Sequence, residues 1–383
     1  MKKTLSVVLF LGLSIVLLNS CAPTARLPDI KSSDIKAEED RQKKLSFSNF
    51  TKHFKRAHNI TYRINSANVD LCDKKGFSLG FDYTNSFALG EKNAAYYPTE
   101  LNVGTRISIV SIGENSPAEK AGLNIGDKVE TINDIDVPQG RNAVTKLSKL
   151  LTKNLTSEAI KIVINRDSNT KQYNLYPQEV CDYPLVFISD QIINAYADGK
   201  RTIITQGIAD YTKDDNELAL VIGHELAHNN RDHIDKKTAN MLLAGLIGFA
   251  LDMASASGGG YYGGPTYTEQ FMKLGAQAFS VEFEQEADYA GLYYAARAGF
   301  DVTNANEFWT RMGAKNPAAI AHNSTHPATA KRFVALRATL KEIEDKRKSS
   351  LPIIPNEKKK IKKKAKKKKF DLKKLLKKKE KKE

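Results

Sequence analysis

His224-Glu225-Leu226-Ala227-His228 lies inside a run, Asp214 to His233, whose pattern reads as one helix. Asp214 is placed to cap it, Glu217 follows three residues on as in a capping box, and Leu218, Val221 and Ile222 fall at helical spacing. Residues four apart share a helix face, so His224 and His228 can turn their imidazoles toward one metal ion. Glu225 is then beside them, placed to take a proton from water. Two histidines at this spacing also occur as plain polar residues on a half-exposed helix, so the reading needs support elsewhere. Catalytic zinc is held by three side chains with one position left for water, which makes a third ligand the first requirement. A second helical stretch, Thr268 to Ala298 with Gly299 at its end, offers Glu282, Glu284 and Glu286. Three glutamates compete for the role.

Several segments together narrow the choice. Glu284 lies four residues before Asp288 in a run ending Ala287-Asp288, and Asn194 to Gly199 precedes Thr202 to Thr205 and Gly207. Further on comes His326-Pro327-Ala328-Thr329-Ala330-Lys331-Arg332. These stretches resemble the zinc metallopeptidase family that includes the HtpX heat-shock proteases, the CAAX prenyl endopeptidases and their soluble periplasmic lipoprotein relatives. The resemblance covers about Asp182 to Leu340 and the helix before it. It implies that His224, His228 and Glu284 bind one Zn²⁺ per chain, that Glu225 is the general base, and that Asp288 accepts the second ring N–H of a ligand histidine. It also implies that His326 approaches the metal or the tetrahedral oxyanion, and that Arg332 orders the same corner. Glu282 and Glu286 are left as ordinary polar residues. His233, five beyond His228, falls off the metal-facing side, and His53, His58 and His322 have no assigned role. The strand near Ala195 would present its edge to an extended peptide.

Between Gly76 and Tyr176 the pattern changes to short β-branched runs such as Arg106 to Ile112, Lys128 to Ile132 and Ile160 to Asn165. Here Ser116-Pro117-Ala118-Glu119-Lys120-Ala121-Gly122-Leu123 leads into Gly126-Asp127, where Pro117 can start a short helix and Gly122 can end it. The stretch resembles the PDZ domains of bacterial envelope proteases. By that resemblance Ser78-Leu79-Gly80-Phe81 is a carboxylate-binding loop. An ordinary small β domain is the other reading.

The chain's ends carry addresses rather than core. Lys2 and Lys3 precede an apolar run, Leu5 to Leu18, and Leu18-Asn19-Ser20-Cys21 resembles a bacterial lipobox. Cys21 would then be lipidated, and Ala22 after it favours the outer over the inner membrane; a plain secretory signal is the alternative. In the periplasm, Cys72 and Cys181 are expected to pair as a disulfide, with two buried free thiols as the alternative. At the other end, residues 357 to 383 hold seventeen lysines against four acidic residues, and so +13 of the chain's net +15. The body is therefore not basic. Such a tail is expected to be disordered, either merely solvated or in contact with an anionic envelope polymer or lipid; no nucleic acid is expected.

The reading that follows is an α+β chain: residues 1–20 a lipoprotein signal, 21–46 a tether, 47–72 a helical segment of the peptidase domain. Residues 73–181 form an inserted β-rich PDZ domain, 182–348 a mainly helical gluzincin-type domain with a small β-sheet, and 349–383 the lysine-rich tail. The expected function is zinc-dependent cleavage of misfolded or misassembled envelope proteins. A lipid-anchored PDZ adaptor or chaperone with little or no proteolysis is the alternative.

Overall fold

The computed structural model describes residue 25 and residues 28–256, 268–270, 272–273, 280–315 and 330–357. Cys21, His326, the glycine-rich stretch after residue 256 and the lysines from 358 onward lie outside the described residues.

The first helix, α1, runs Ser32–Ala67. It takes in half of the expected tether, because Ser32 to Phe47 is rich in good helix formers with an Arg41–Glu38 pair on its surface. Its second half has two working faces. Ala57, Ile60 and Ile64 enter the helical core, whereas Tyr62 packs against Gly113 and bonds Gln178 Oε1 at 2.8 Å.

A β-rich region follows, with β1 (Lys75–Ser78), β2 (Phe81–Thr84), β3 (Ser108–Ile112), α2 (Pro117–Ala121), β4 (Lys128–Ile132) and β5 (Ile135–Asp136). It continues through α3 (Ala143–Asn154), β6 (Ile160–Arg166), β7 (Asn169–Leu175) and β8 (Gln178–Cys181). The main sheet runs β2-β3-β4-β6-β7, with β5 paired to β4. Alternation decides its faces: Ile160, Ile162 and Ile164 are buried while the residues between them are partly exposed. Ser116 caps α2 by accepting from the Glu119 N–H, and Gly122 closes it with φ +85°, a conformation that favours glycine. β1 and β8 pair separately, and Cys72 is bonded to Cys181 across the base of the region.

The rest of the chain builds the second core: β9 (Leu185–Ile188), β10 (Ala195–Ala197), β11 (Thr202–Thr205), α4 (Gln206–Tyr211), α5 (Asp215–Asn230) and α6 (His233–Ala256). Then come α7 (Ser280–Arg297), α8 (Ala305–Lys315) and α9 (Ala330–Lys348). β11 is central in a three-stranded sheet, parallel to β9 and antiparallel to β10, so β10 is an edge. The long helix expected from Asp214 to His233 breaks earlier. Arg231 ends α5, Asp232 takes φ +54°, and His233 begins α6.

α6 carries an apolar run, Met241 to Leu251. Leu242, Leu243, Leu246 and Ile247 are exposed, which places that face at the surface. Among the described residues no helix is long and apolar enough to cross a membrane. The tail begins later than expected, since residues 351–357 fold back on the helices. Pro355 is buried, the Asn356 N–H donates to the Tyr289 hydroxyl, and Glu357 pairs with Arg231.

Candidate metal centre

α5 begins as its sequence requires. The Asp214 carboxylate accepts from the Glu217 N–H, and Glu217 reaches back to the Lys213 N–H. All but its first two residues are buried, including the charged Glu217 and Glu225. The helix therefore runs through the core, and its polar groups must find partners there.

The partner helix is α7, and two glycines set how near it comes. A Cβ at Gly291 would lie 2.7 Å from the His224 backbone nitrogen, and one at Gly223 would lie 2.6 Å from the Gly291 carbonyl oxygen. Backbone faces backbone here, so neither side chain nor rotamer can yield. Glu284, Asp288 and Gly291 are four and three residues apart, on the face of α7 turned toward α5. Gly291→Ala is expected to cost about 1–3 kcal/mol by forcing the helices apart, and to weaken metal binding with it. Denaturant unfolding and a zinc titration check this; parental values for both would refute the close-approach argument.

The consequence of this packing is a convergent donor set. His224, His228 and Glu284 each offer an atom lying within 4.8 Å of the others, and all three residues are buried. The two Nε2 atoms are 3.1 Å apart and lie 3.4 and 3.3 Å from the two Glu284 carboxylate oxygens. Glu225, next along α5, is 2% exposed. The three expected ligands are thus brought together.

The surroundings are strongly charged. His224 Nδ1 lies 3.0 Å from Asp288 Oδ1. Asp288 in turn receives a forked pair of bonds from Arg332, Nε at 2.7 Å and Nη2 at 2.8 Å. Arg332 Nη1 is 3.3 Å from Glu284, and Lys237 Nζ is 3.8 Å from the same carboxylate. Burial opposes a charge on His224, yet Asp288 and Glu284 outweigh it and raise the imidazole to about 9. Burial likewise opposes the Asp288 carboxylate, and Arg332 holds its pKa below the usual value. The negative charge gathered around His224 suits a divalent cation, and nitrogen and oxygen donors of this kind suit zinc.

Further contacts surround the two site helices. His233 lies behind His228, its Nδ1 at 3.1 Å from the His228 Nδ1, and its Nε2 is 3.0 Å from Glu286. Glu286 is therefore not an idle polar residue; the break at Asp232 turns α6 so that His233 points back. Trp309, the only tryptophan in the sequence, lies 5.3 Å from His224 ring to ring. Asn229 accepts from the Gly199 N–H and donates to the Arg201 carbonyl, tying the β10–β11 turn to the helix that carries His228. Glycines inside the two site helices were the one visible signal; the others required the fold. Away from the centre, His53 pairs with Asp210 and His58 with Ser111.

In the β-rich region Leu79 is buried and Gly80 takes φ +76°, with Ser116 where a Cβ would go. The Gly80 N–H donates to Ser78 Oγ. Phe81 opens β2, and a cavity of about 430 Å³ lies between β1 and α3, lined in part by Phe77, Leu151 and Leu155, with Tyr83 from β2 and Glu179 from β8.

Two helices packed backbone to backbone thus hold a buried glutamate beside two histidines and a second carboxylate that could together bind a metal ion. Residues 155–340 match the model of Peptidase family M48, which contains every described residue of the centre. The match begins within the β-rich region, earlier than the resemblance at Asp182. "Mitochondrial metalloendopeptidase OMA1" of Schizosaccharomyces pombe is 32% identical over 173 residues, 44% of this chain and 50% of that protein. "Beta-barrel assembly-enhancing protease" of Escherichia coli is 26% identical over 222 residues, 52% of this chain and 43% of that protein. The chain thus spans half or less of the length of these relatives. Over residues 155–340 the chain is similar to Peptidase family M48, and it is similar to proteins named as metalloendopeptidases and proteases. A solved HtrA3 PDZ domain bound to a phage-derived ligand aligns at 16% identity and TM-score 0.21, over 28% of this chain and 88% of that one. At that score the likeness carries no weight.

Proposed function

We propose that this chain is a zinc-dependent endopeptidase of the bacterial envelope, acting on misfolded or misassembled envelope proteins. The observation that carries the reading is the convergence of His224, His228 and Glu284 beside Glu225. Envelope location is supported by the lipobox-like Cys21 and by a relative whose name is "Beta-barrel assembly-enhancing protease".

His224 and His228 would hold the ion through Nε2 and Glu284 through its carboxylate. When bound, zinc supplies Lewis acidity that polarises a carbonyl and brings the pKa of a water down to about 7. Glu225 takes the proton from the attacking water and delivers it to the leaving amine nitrogen. Asp288 keeps the His224 Nδ1–H, so that Nε2 presents its lone pair, and Arg332 holds Asp288 in place. The edge of β10, which has no strand paired to it among the described residues and is tied to α5 through Asn229, suits main-chain pairing with an extended substrate. Ser78 to Phe81 are assigned to exposed chain ends, as the PDZ resemblance implies.

The test is degradation of casein or denatured outer-membrane protein by the purified chain. A chelator is expected to abolish cleavage and added zinc to restore it. Substrate binding that ignores the chelator, with no cleavage, would replace the enzyme with an anchored adaptor.

A further inference from the structure

The two histidine donors are oriented by different means. His224 has a carboxylate at its Nδ1, whereas His228 faces a second imidazole. Contact between two ring nitrogens at 3.1 Å requires one to donate and the other to accept. Glu286 fixes the direction. Its carboxylate can only accept, so the proton on His233 belongs on Nε2, 3.0 Å away. The His233 Nδ1 is then a lone pair, and it accepts from the His228 Nδ1–H. That leaves the His228 Nε2 without a proton and turned toward Glu284.

We infer that His233 and Glu286 form a positioning pair that fixes the tautomer and ring orientation of His228 for metal binding. The inference rests on the zinc reading of the site and deepens it. His233 is fully buried and stacked on Phe283, ring centroids 4.6 Å apart and planes within 17°, so its ring plane is set by packing as well as by its bonds. Asp232, with φ +54°, supplies the turn that brings α6 back under α5. Groups behind a ligand histidine characteristically change metal affinity by about 10–100-fold when removed.

The experiment measures zinc dissociation constants of the full chain by competition with a chelating dye, alongside the thermal midpoint of each variant without zinc. His233→Leu removes both ring nitrogens and is expected to weaken zinc binding by about 10–100-fold. His233→Asn places an oxygen acceptor near the former Nδ1 and is expected to recover most of that loss. A merely structural histidine would show no such rescue. Should His233→Leu fail to fold, Glu286→Gln serves, because that side chain is 44% exposed and its replacement leaves the packing intact. It is expected to weaken zinc severalfold. Parental affinity in folded His233→Leu or in Glu286→Gln would overturn the pair. Wild-type cleavage and zinc loss in His228→Ala are measured in parallel. If those hold while the His233 and Glu286 variants bind normally, only this inference fails; a wild-type chain that takes up no zinc sinks both.

Discussion

Glu225→Gln is expected to retain one zinc per chain and to lose peptide-bond cleavage by roughly 10²–10⁴-fold, the range over which a positioned general base contributes. The substitution keeps the side chain's volume and its place on α5, where it is buried at 2% exposure. What it removes is the ability to take a proton. An amide cannot accept one at neutral pH, so the attacking water keeps both of its protons and the leaving nitrogen receives none. Binding should survive, because Glu225 is outside the donor set of His224, His228 and Glu284. Elemental analysis and casein turnover are therefore read on the same sample. Full activity in a zinc-loaded Glu225→Gln chain would remove the general-base assignment while leaving the metal site intact. The pattern of loss also separates two roles: His228→Ala should lose zinc and activity together.

Residues that act through local spacing were open to reading in advance, and residues that act through the approach of distant segments were not. His224, Glu225 and His228 belong to one helix, and a period of 3.6 residues fixes their relation without any knowledge of the fold. The cap at Asp214 and the start and stop of α2 at Pro117 and Gly122 are equally local. Glu284 was different. Nothing in Val281 to Asp288 separates three glutamates until resemblance does, and what distinguishes them physically is the face of α7. Glu284 is fully buried against the histidines, while the Glu286 side chain is 44% exposed at the rim. The role of His233 depends on a single left-handed residue, Asp232, which breaks a helix that the apolar pattern would have continued. Gly223 and Gly291 matter only because two helices meet at those points, a contact between residues 68 apart. The fold-back of residues 351–357 was hidden for the same reason, since its anchors, Arg231 and Tyr289, are remote in sequence.

The largest stability effect is expected at Arg332. The residue is 5% exposed, and its guanidinium sends two bonds into Asp288, itself 3% exposed, with Glu284 at 3.3 Å from the third nitrogen. The buried Asp288 carboxylate thus rests on this fork and on His224 Nδ1 at 3.0 Å. Arg332→Met keeps most of the volume but removes the guanidinium, which also lies 6.0 Å from the Trp309 ring centroid, and strands Asp288; removing one partner of a buried pair costs about 3–5 kcal/mol. Arg332→Lys should rescue little, because an ammonium is a point charge and cannot span both carboxylate oxygens. Asp288→Asn in the Arg332→Met background should recover much of the loss, since the stranded charge is then gone. Zinc enters the same balance. A divalent ion held by Glu284 and His224 supplies positive charge where the guanidinium was, so the deficit measured in a chelator should shrink when zinc saturates the site. Denaturant unfolding of the four chains, each with and without zinc, reads all of these terms. A loss under 1 kcal/mol in Arg332→Met, or no recovery from Asp288→Asn, would mean that Asp288 is not held by Arg332 and that the orientation of His224 has another source.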